Sequence, residues 1–338
     1  MSISEFDLIQ RFFTRATPGA LLGVGDDAAL LQVSAGNVLA VSSDMLVSGT
    51  HFLPDANPFL LGHKTLAVNL SDLAAMGATP RWAILAIALP EADEAWLTQF
   101  SAGFFALAQR HGVELVGGDT TRGPLNLCVT IFGEVPAQQA LRRSGAQVGD
   151  EVWVSGCLGD AALALAHLQG HIALSDTELA ACLPTLHQPQ PRVALGLALR
   201  GIASSAIDIS DGLLGDLGHI LDASRVGAEI GFAALPVSDV LRSLSPSPSP
   251  TSGRGVRDSA GEGGAQSLIQ RYALAGGDDY ELCFTVPTAH RAEVERLVTR
   301  LDLPLTRIGK IVAGRGCIVH DAAGNQLNVE TCGYDHFR

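Results

Sequence analysis

Six short stretches place an aspartate beside Gly, Ser or Thr at the end of an apolar run: "GDDAAL" (25–30), "SSDML" (42–46), "NLSDLAAMG" (69–77), "GGDTT" (117–121), "DISDGLLGD" (208–216) and "GGDDYELCF" (276–284). Each alone reads equally as a turn or a helix cap, because Gly, Ser and Asp are the commonest residues of both. Six together imply chemistry. Carboxylates among small and apolar neighbours raise one another's pKa unless a cation neutralises them. Hard divalent cations do so with oxygen ligands, and Mg²⁺ takes a few carboxylates together with water and substrate phosphates. Gly117 and Gly118 let backbone N–H groups approach a phosphate closely. A helix opening after "DIS", capped by Ser210 or Asp211, offers its N-terminus to an anion. Acidic residues beside a phosphate site require metal between them, so the residues point to a Mg²⁺-dependent enzyme of nucleotide phosphates.

Position within each stretch refines this. "GVGDDAALL" (23–31) carries Asp26 and Asp27 side by side among small or apolar neighbours, as if the segment were to be buried. Asp44 closes the apolar run "VLAVSSD", where Ser42 and Ser43 add two oxygens, and Asp119 closes "VELVGGD"; two such strand ends suggest one shared crevice. Asp72 lies in an apolar helix on the face of Asn69 and Met76, so it need not point to water. Competing motifs are missing: there is no G-x-x-x-x-G-K-S/T phosphate loop, no G-x-S-x-G elbow and no protein-kinase signature. "GVGDDA" fits a dinucleotide pattern only weakly, since no useful strand precedes it and its aspartates repel a pyrophosphate.

The elements that must position these residues follow from periodicity. Strand-type runs at 38–44, 82–89, 127–135, 151–156 and 205–210 alternate with helical patterns, which argues an α/β or α+β chain. Residues 57–77 and 92–111 read as helices; Gly77 suits the left-handed end of the first and Pro80 stops its continuation. With 338 residues the chain exceeds the usual single domain. The small and polar run "RRSGAQVGDE" (142–151) marks the boundary, giving domains 1–143 and 144–338. Residues 245–265 are Ser/Pro/Gly-rich and read as a disordered surface insertion.

The net charge of −13 works against phosphate-neutralising nucleic-acid binding. Six cysteines without C-x-x-C or Cys/His clustering read as reduced, mostly buried thiols. The longest apolar run, "WAILAIALP", is about half a membrane span, and the N-terminus has no signal-peptide pattern. The expectation is a cytoplasmic protein with no membrane partner.

In order along the chain, "GDDAALL", "SSDMLVSGTHF", "KTLAVNLSDLAAMGATP", "LVGGDTTRGPL", "RSGAQVGDEVWVSG", "SAIDISDGLLGDLGHI", "GGDDYELCFTVP" and "GYDHF" resemble the thiamine-monophosphate kinases, a family of the aminoimidazole ribonucleotide synthetase and selenophosphate synthetase superfamily. The resemblance spans about residues 5 to 337 except the insertion. It implies a two-domain PurM-like fold, with an N-terminal mixed-sheet domain that pairs across a homodimer and a C-terminal α/β domain. It implies transfer of the γ-phosphoryl of ATP to thiamine monophosphate, assisted by several Mg²⁺ ions. Carried over to this sequence, Asp27, Ser42, Ser43, Asp44, Asp72, Asp119, Asp208 and Asp211 would hold magnesium. Gly118, Asp119, Arg143 and Ser210 would contact ATP, and His51, Asp278 and Tyr334 would face the thiamine moiety. Position 278 carries Asp where relatives often have Glu, one methylene longer. Between the paired carboxylates, Asp27 is the metal ligand and Asp26 serves the turn at Gly25, contact with metal or phosphate being its alternative. No general base is implied, because the acceptor phosphate oxygen is already ionised at neutral pH. Two other readings stand beside this one. One is another ATP-using enzyme of the superfamily, although the first cysteine is Cys128 and Cys332 is not terminal, where the reactive-cysteine relatives differ. The other is a non-catalytic ATP-binding regulator.

Overall fold

The computed structural model describes residues 4–244 and 267–329. The insertion read at 245–265, Cys332 and Tyr334 lie outside the described residues. The chain divides into two compact units, one of Met1–Ala140 with Pro191–Leu197, the other of Leu141–Gln190 with Ala198–Arg338.

The first unit runs through α1 (Glu5–Leu8), β1 (Asn37–Val47), α2 (Pro58–Ala75), β2 (Thr79–Leu89), α3 (Glu94–His111), β3 (Glu114–Arg122) and β4 (Asn126–Pro136). Its four strands lie in the order β1-β4-β2-β3, with β4 antiparallel to both β1 and β2, and β2 parallel to β3, so the sheet is mixed. The helix read at 57–77 is α2. The Asn57 side chain accepts from the Leu60 N–H, Pro58 stands at a helix start where no N–H is needed, and Gly77 takes φ 61° beyond the end. The second expected helix, α3, starts one residue after its cap Asp93, whose carboxylate accepts from Ala95 and Trp96. The helices approach closely because glycines face backbone: a Cβ on Gly62 would lie 2.1 Å from the Phe100 carbonyl oxygen, and one on Gly103 would lie 1.9 Å from that of Phe59. On the sheet face carrying Leu46, Leu85, Leu127 and Val129, burial is nearly complete. The opposite face stays open, with Leu39, Val41 and Met45 exposed by 41%, 55% and 53%.

The second unit contains β5 (Glu151–Ser155), α4 (Asp160–Leu168), α5 (Asp176–His187), β6 (Ser205–Ile209), α7 (Leu213–Ser224), β7 (Gly227–Gly231), α8 (Asp239–Leu244), β8 (Glu281–Val286), α9 (Arg291–Leu301), β9 (Leu305–Val312) and β10 (Gly316–His320); α6 (Val193–Ala198) belongs to the first unit but for its last residue. The sheet order is β10-β7-β9-β5-β8-β6, with only the β10–β7 pair parallel. Val152, Val154, Ile207, Ile209, Leu217, Leu221, Ile230 and Ile311 belong to one buried core. All five residues of β6 are buried, which carries the chain rigidly to the loop after Ile209.

The five described cysteines are free thiols. Cys182 and Cys283 are buried and Cys157 is exposed; burial, then the charge of Asp160, pushes the Cys182 thiol up to about 12. Among the described residues no helix is long and apolar enough to cross a membrane.

Candidate active site

In a strand, alternate side chains share a face. In β1 that rule sends Ser42 and Asp44 toward α2 and Ser43 to the open face. The Ser42 hydroxyl donates to Asp72 Oδ2 at 2.5 Å, and the Asp44 backbone N–H donates to Asn69 Oδ1 at 3.2 Å. Asn69 is itself fixed, since its Nδ2 donates to the Thr65 carbonyl inside the buried side of α2. Asn69 and Asp72, three residues apart on one helix face, thus meet Ser42 and Asp44, two residues apart on one strand face. Asp72 is half-buried, as its mixed helix face implied. Every donor here is a hard oxygen, the ligand type that suits Mg²⁺ and not a thiolate- or imidazole-preferring metal.

Ser43 does not join this group. Its hydroxyl turns to Thr130 Oγ1 at 2.9 Å and to the Val129 carbonyl at 3.2 Å, on the face opposite Ser42 and Asp44. Nor do the strands end where the apolar runs suggested. β1 continues to Val47 because Met45–Val47 still pair with β4, and β3 continues to Arg122 because Thr120–Arg122 still pair with β2. Within one chain Asp44 and Asp119 do not share a crevice. Asp44 lies in the row Asp44–Val129–Leu85–Gly118, and Asp119 in the next, Met45–Cys128–Ala86–Asp119, so the two aspartates occupy opposite outer strands and opposite faces. Three strand spacings, about 14 Å, separate them. Gly118 is required where it stands: at φ 150° its missing Cβ would lie 1.9 Å from the Leu85 carbonyl oxygen.

The "GVGDDAALL" segment is not buried; Asp26 and Asp27 are exposed, and Leu30 is exposed by 55%. Gly25 turns at φ 126°, and Asp26 Oδ1 accepts the Asp27 N–H at 3.0 Å, which engages the Asp26 side chain within the turn. Beyond β1, His51 Nδ1 accepts the Val47 N–H at 3.0 Å, which puts the proton of the neutral ring on Nε2.

In the second unit, Asp208 lies buried near the end of β6, followed by Ser210 and Asp211. The expected cap is absent: α7 starts after Gly212, and no side chain caps it. A residue outside the expected set takes over. Asp216 Oδ2 accepts the N–H groups of Ser210, Asp211 and Gly212 at 3.0, 3.1 and 3.1 Å, so these donors are committed internally and do not form an anion site. Burial, then the charge of Asp208, pushes the Asp216 carboxyl up to about 7. A cation beside Asp208 and Asp211 would relieve this repulsion. Asp278 and Tyr280 both take positive φ, 69° and 50°, and the Tyr280 hydroxyl donates to Asp278 Oδ1 at 3.1 Å. Between them Asp279 is buried, with both oxygens 3.0 Å from the Gly159 N–H, and burial raises its carboxyl well above the ordinary range. Arg143 is exposed; its carbonyl accepts from Ser224 at the end of α7.

Sequence reasoning passed over Asp216 and Tyr280. The signal for Asp216 was its place in the first turn of the helix after "DIS", where a carboxylate meets unpaired N–H groups. Among the described residues no three His, Cys, Asp or Glu side chains form a group able to hold a metal by themselves. A magnesium ion here would draw on one or two carboxylates plus water and phosphate oxygens, the usual mode for this ion.

Residues 25–135 match the family model described as AIR synthase related protein, N-terminal domain, and residues 147–322 match the corresponding C-terminal domain. The thiamine-monophosphate kinase of Escherichia coli is 47% identical over 344 residues, covering 100% of this chain and 99% of its own. The chain belongs to the thiamine-monophosphate kinases of the AIR synthase related family. The solved thiamine-monophosphate kinase of Stenotrophomonas maltophilia is 49% identical, with a TM-score of 0.81 over 97% of this chain and 99% of that one. A further solved structure, described as AaThiL complexed with AMPPCP and TMP, is 29% identical with a TM-score of 0.74, covering 98% of this chain and 96% of that one. Membership in this family confirms the two-domain PurM-like fold and the phosphotransferase class that the ordered motifs implied.

Proposed function

We propose that this protein phosphorylates thiamine monophosphate with ATP, giving thiamine diphosphate and ADP. The observation that carries this is full-length similarity to thiamine-monophosphate kinases together with the oxygen-donor group Ser42–Asp44–Asn69–Asp72, which such a reaction needs for its magnesium. An oxygen of the acceptor phosphate attacks the γ-phosphorus, a new P–O bond forms, and the bond to the β-phosphate oxygen breaks to release ADP. No residue has to remove a proton, because the attacking oxygen is already ionised.

Magnesium, when bound, neutralises the phosphate charge that would otherwise repel the attacking oxygen. In the first unit we assign Asp27, Ser42, Asp44, Asp72 and Asp119 to magnesium, with the Ser43 hydroxyl left out because it faces Thr130; in the second unit Asp208 and Asp211 are assigned to magnesium as well. Asn69 fixes the Asp44 backbone, and Ser42 orients the Asp72 carboxylate. Gly118, Asp119, Arg143 and Ser210 are assigned to ATP; Arg143 brings a forked donor suited to two phosphate oxygens. His51 and Asp278 are assigned to the thiamine moiety, where the carboxylate complements its cationic ring, and Tyr334 completes the carried-over set.

The open sheet face favours a homodimer in which Leu39, Val41 and Met45 are covered by a second copy, since contiguous exposed apolar residues mark an interaction surface. Asp119 lies on that same face, away from the Ser42–Asp72 group of its own chain, so in the dimer we assign it to the site of the other copy. Free thiols and a need for ATP fit a cytoplasmic location. The test is direct: incubate the protein with ATP, Mg²⁺ and thiamine monophosphate, and look for ADP and thiamine diphosphate. Folded protein that makes neither refutes the proposal.

A further inference from the structure

Asp216 is 3% exposed and lies outside every ligand set considered above. Its Oδ2 is the single acceptor for three consecutive backbone N–H groups, those of Ser210, Asp211 and Gly212. The turn it gathers is in turn bound to the neighbouring loop. The Ser210 carbonyl accepts the Asp278 N–H at 2.8 Å, and the Ile209 carbonyl accepts the Tyr280 N–H at 2.8 Å. Glycines let the two loops touch: a Cβ on Gly277 would lie 2.4 Å from the Ser210 carbonyl oxygen, and one on Gly212 would lie 2.8 Å from the Ala275 carbonyl carbon. The chain of contacts ends at Asp278, whose carboxylate receives the Tyr280 hydroxyl.

We propose that Asp216 is a positioning residue: through one acceptor oxygen it sets the Ser210–Gly212 turn and, through the Ser210 carbonyl, the Asp278–Tyr280 loop, so that the residues on phosphate and those on thiamine keep one spacing. The proposal rests on the function given above. What matters is the place of the oxygen. Asp216→Asn keeps an acceptor at the same position, whereas Asp216→Glu keeps the charge and moves the oxygen by one methylene.

Both variants are made in the full chain, checked for folding by thermal melting, and compared with wild type in two readouts. The first is kcat, with KM for ATP and for thiamine monophosphate and the half-saturating Mg²⁺ concentration. The second is amide hydrogen exchange over 210–212 and 278–280, which needs no substrate. Asp216→Asn should stay within about threefold of wild type, while Asp216→Glu should lose about tenfold to a hundredfold in kcat, the range expected for a shift of about 1 Å in reacting groups. The Glu variant should also raise the Mg²⁺ requirement and speed exchange in both loops together. A Glu variant with wild-type kinetics and exchange overturns the proposal, as does an Asn variant as impaired as the Glu one, or faster exchange confined to 210–212. Wild-type protein without turnover would refute the kinase reading instead, leaving the exchange comparison to decide the role of Asp216.

Discussion

The Ser42 hydroxyl lies 2.5 Å from Asp72 Oδ2, joining the middle of a strand to a helix thirty residues further on. The contact orients a half-buried carboxylate whose charge we assign to magnesium. Asp72→Asn keeps shape and burial while removing that charge. Turnover should fall by about a hundredfold or more, since even outer residues around a metal are worth up to that factor, with the melting temperature nearly unchanged. Asp44→Asn should behave alike. Near-normal turnover of either folded variant would remove the magnesium assignment in this unit.

Strand alternation separates two adjacent serines that composition cannot tell apart. Ser42→Ala removes the donor to Asp72 and should raise the half-saturating Mg²⁺ concentration by about tenfold. Ser43→Ala loses contacts to Thr130, Cys128 Sγ and the Val129 carbonyl, none of them to Asp72, and should leave Mg²⁺ dependence within about twofold of wild type. Equal effects would mean that the register of β1 is not what sets the ligand group.

Glu151 gives a pH-dependent stability prediction. Burial pushes its carboxyl up, but Arg307 Nη1 at 2.9 Å, Arg291 Nε at 3.1 Å and Arg291 Nη2 more than reverse this, and the net shift is downward. A group with a lowered folded pKa contributes stability above its unfolded value, about 4.3, and loses it as pH falls through the folded value. Glu151→Gln should therefore cost about 2 kcal/mol at neutral pH, a figure moderated by the half-exposed arginines. The gap from wild type in urea melts should narrow below about pH 4. A gap that widens on acidification would contradict the sign.

Much of the architecture was legible because its signals were local. Helix α2 declared itself through its apolar periodicity, Gly77 and Pro80, and α3 through the same kind of periodicity; the structure adds the caps Asn57 and Asp93, each acting on its own neighbours. The six acidic stretches likewise singled out Asp72, Asp44 and Asp208 without any knowledge of the sheet. What stayed hidden depended on pairing. No run of sequence reveals that β1 and β3 are opposite edges, so Asp44 and Asp119 read as neighbours although three strand spacings part them. Strand ends were hidden for the same reason, since Met45–Val47 stay in β1 only because β4 extends far enough to meet them. The strands β7 and β10 are only five residues long and each contains glycine, and β9 carries Gly309 in its interior, which weakens the alternation that reveals a strand. Asp216 was hidden because its partners are backbone groups, which carry no side-chain signature.

The open face of the first sheet predicts an oligomeric change. Val41 is 55% exposed and belongs to the cluster with Leu39 and Met45. An aspartate there is solvated in the single chain, so Val41→Asp should leave the melting temperature of a monomer nearly unchanged. Buried against a second copy it would be an unpaired charge, which costs several kcal/mol. Light scattering should then give half the wild-type mass. A variant of unchanged mass would move the interface elsewhere.

Asp119 permits a sharper test of the same dimer, because its face and edge place it beyond reach of the Ser42–Asp72 group in its own chain. Asp72→Asn and Asp119→Asn should each be inactive alone. If each site takes Asp119 from the other copy, mixing the two variants and letting subunits exchange yields mixed dimers in which one site carries both substitutions and the other carries neither. Random exchange makes about half the dimers mixed, and one working site in each restores about a quarter of wild-type activity. If Asp119 served its own chain, every site in a mixed dimer would carry one substitution and the mixture would stay inactive. Recovery of activity in the mixture, measured as ADP release against each variant alone, therefore decides whether the edge strand β3 serves its own chain or the opposite copy.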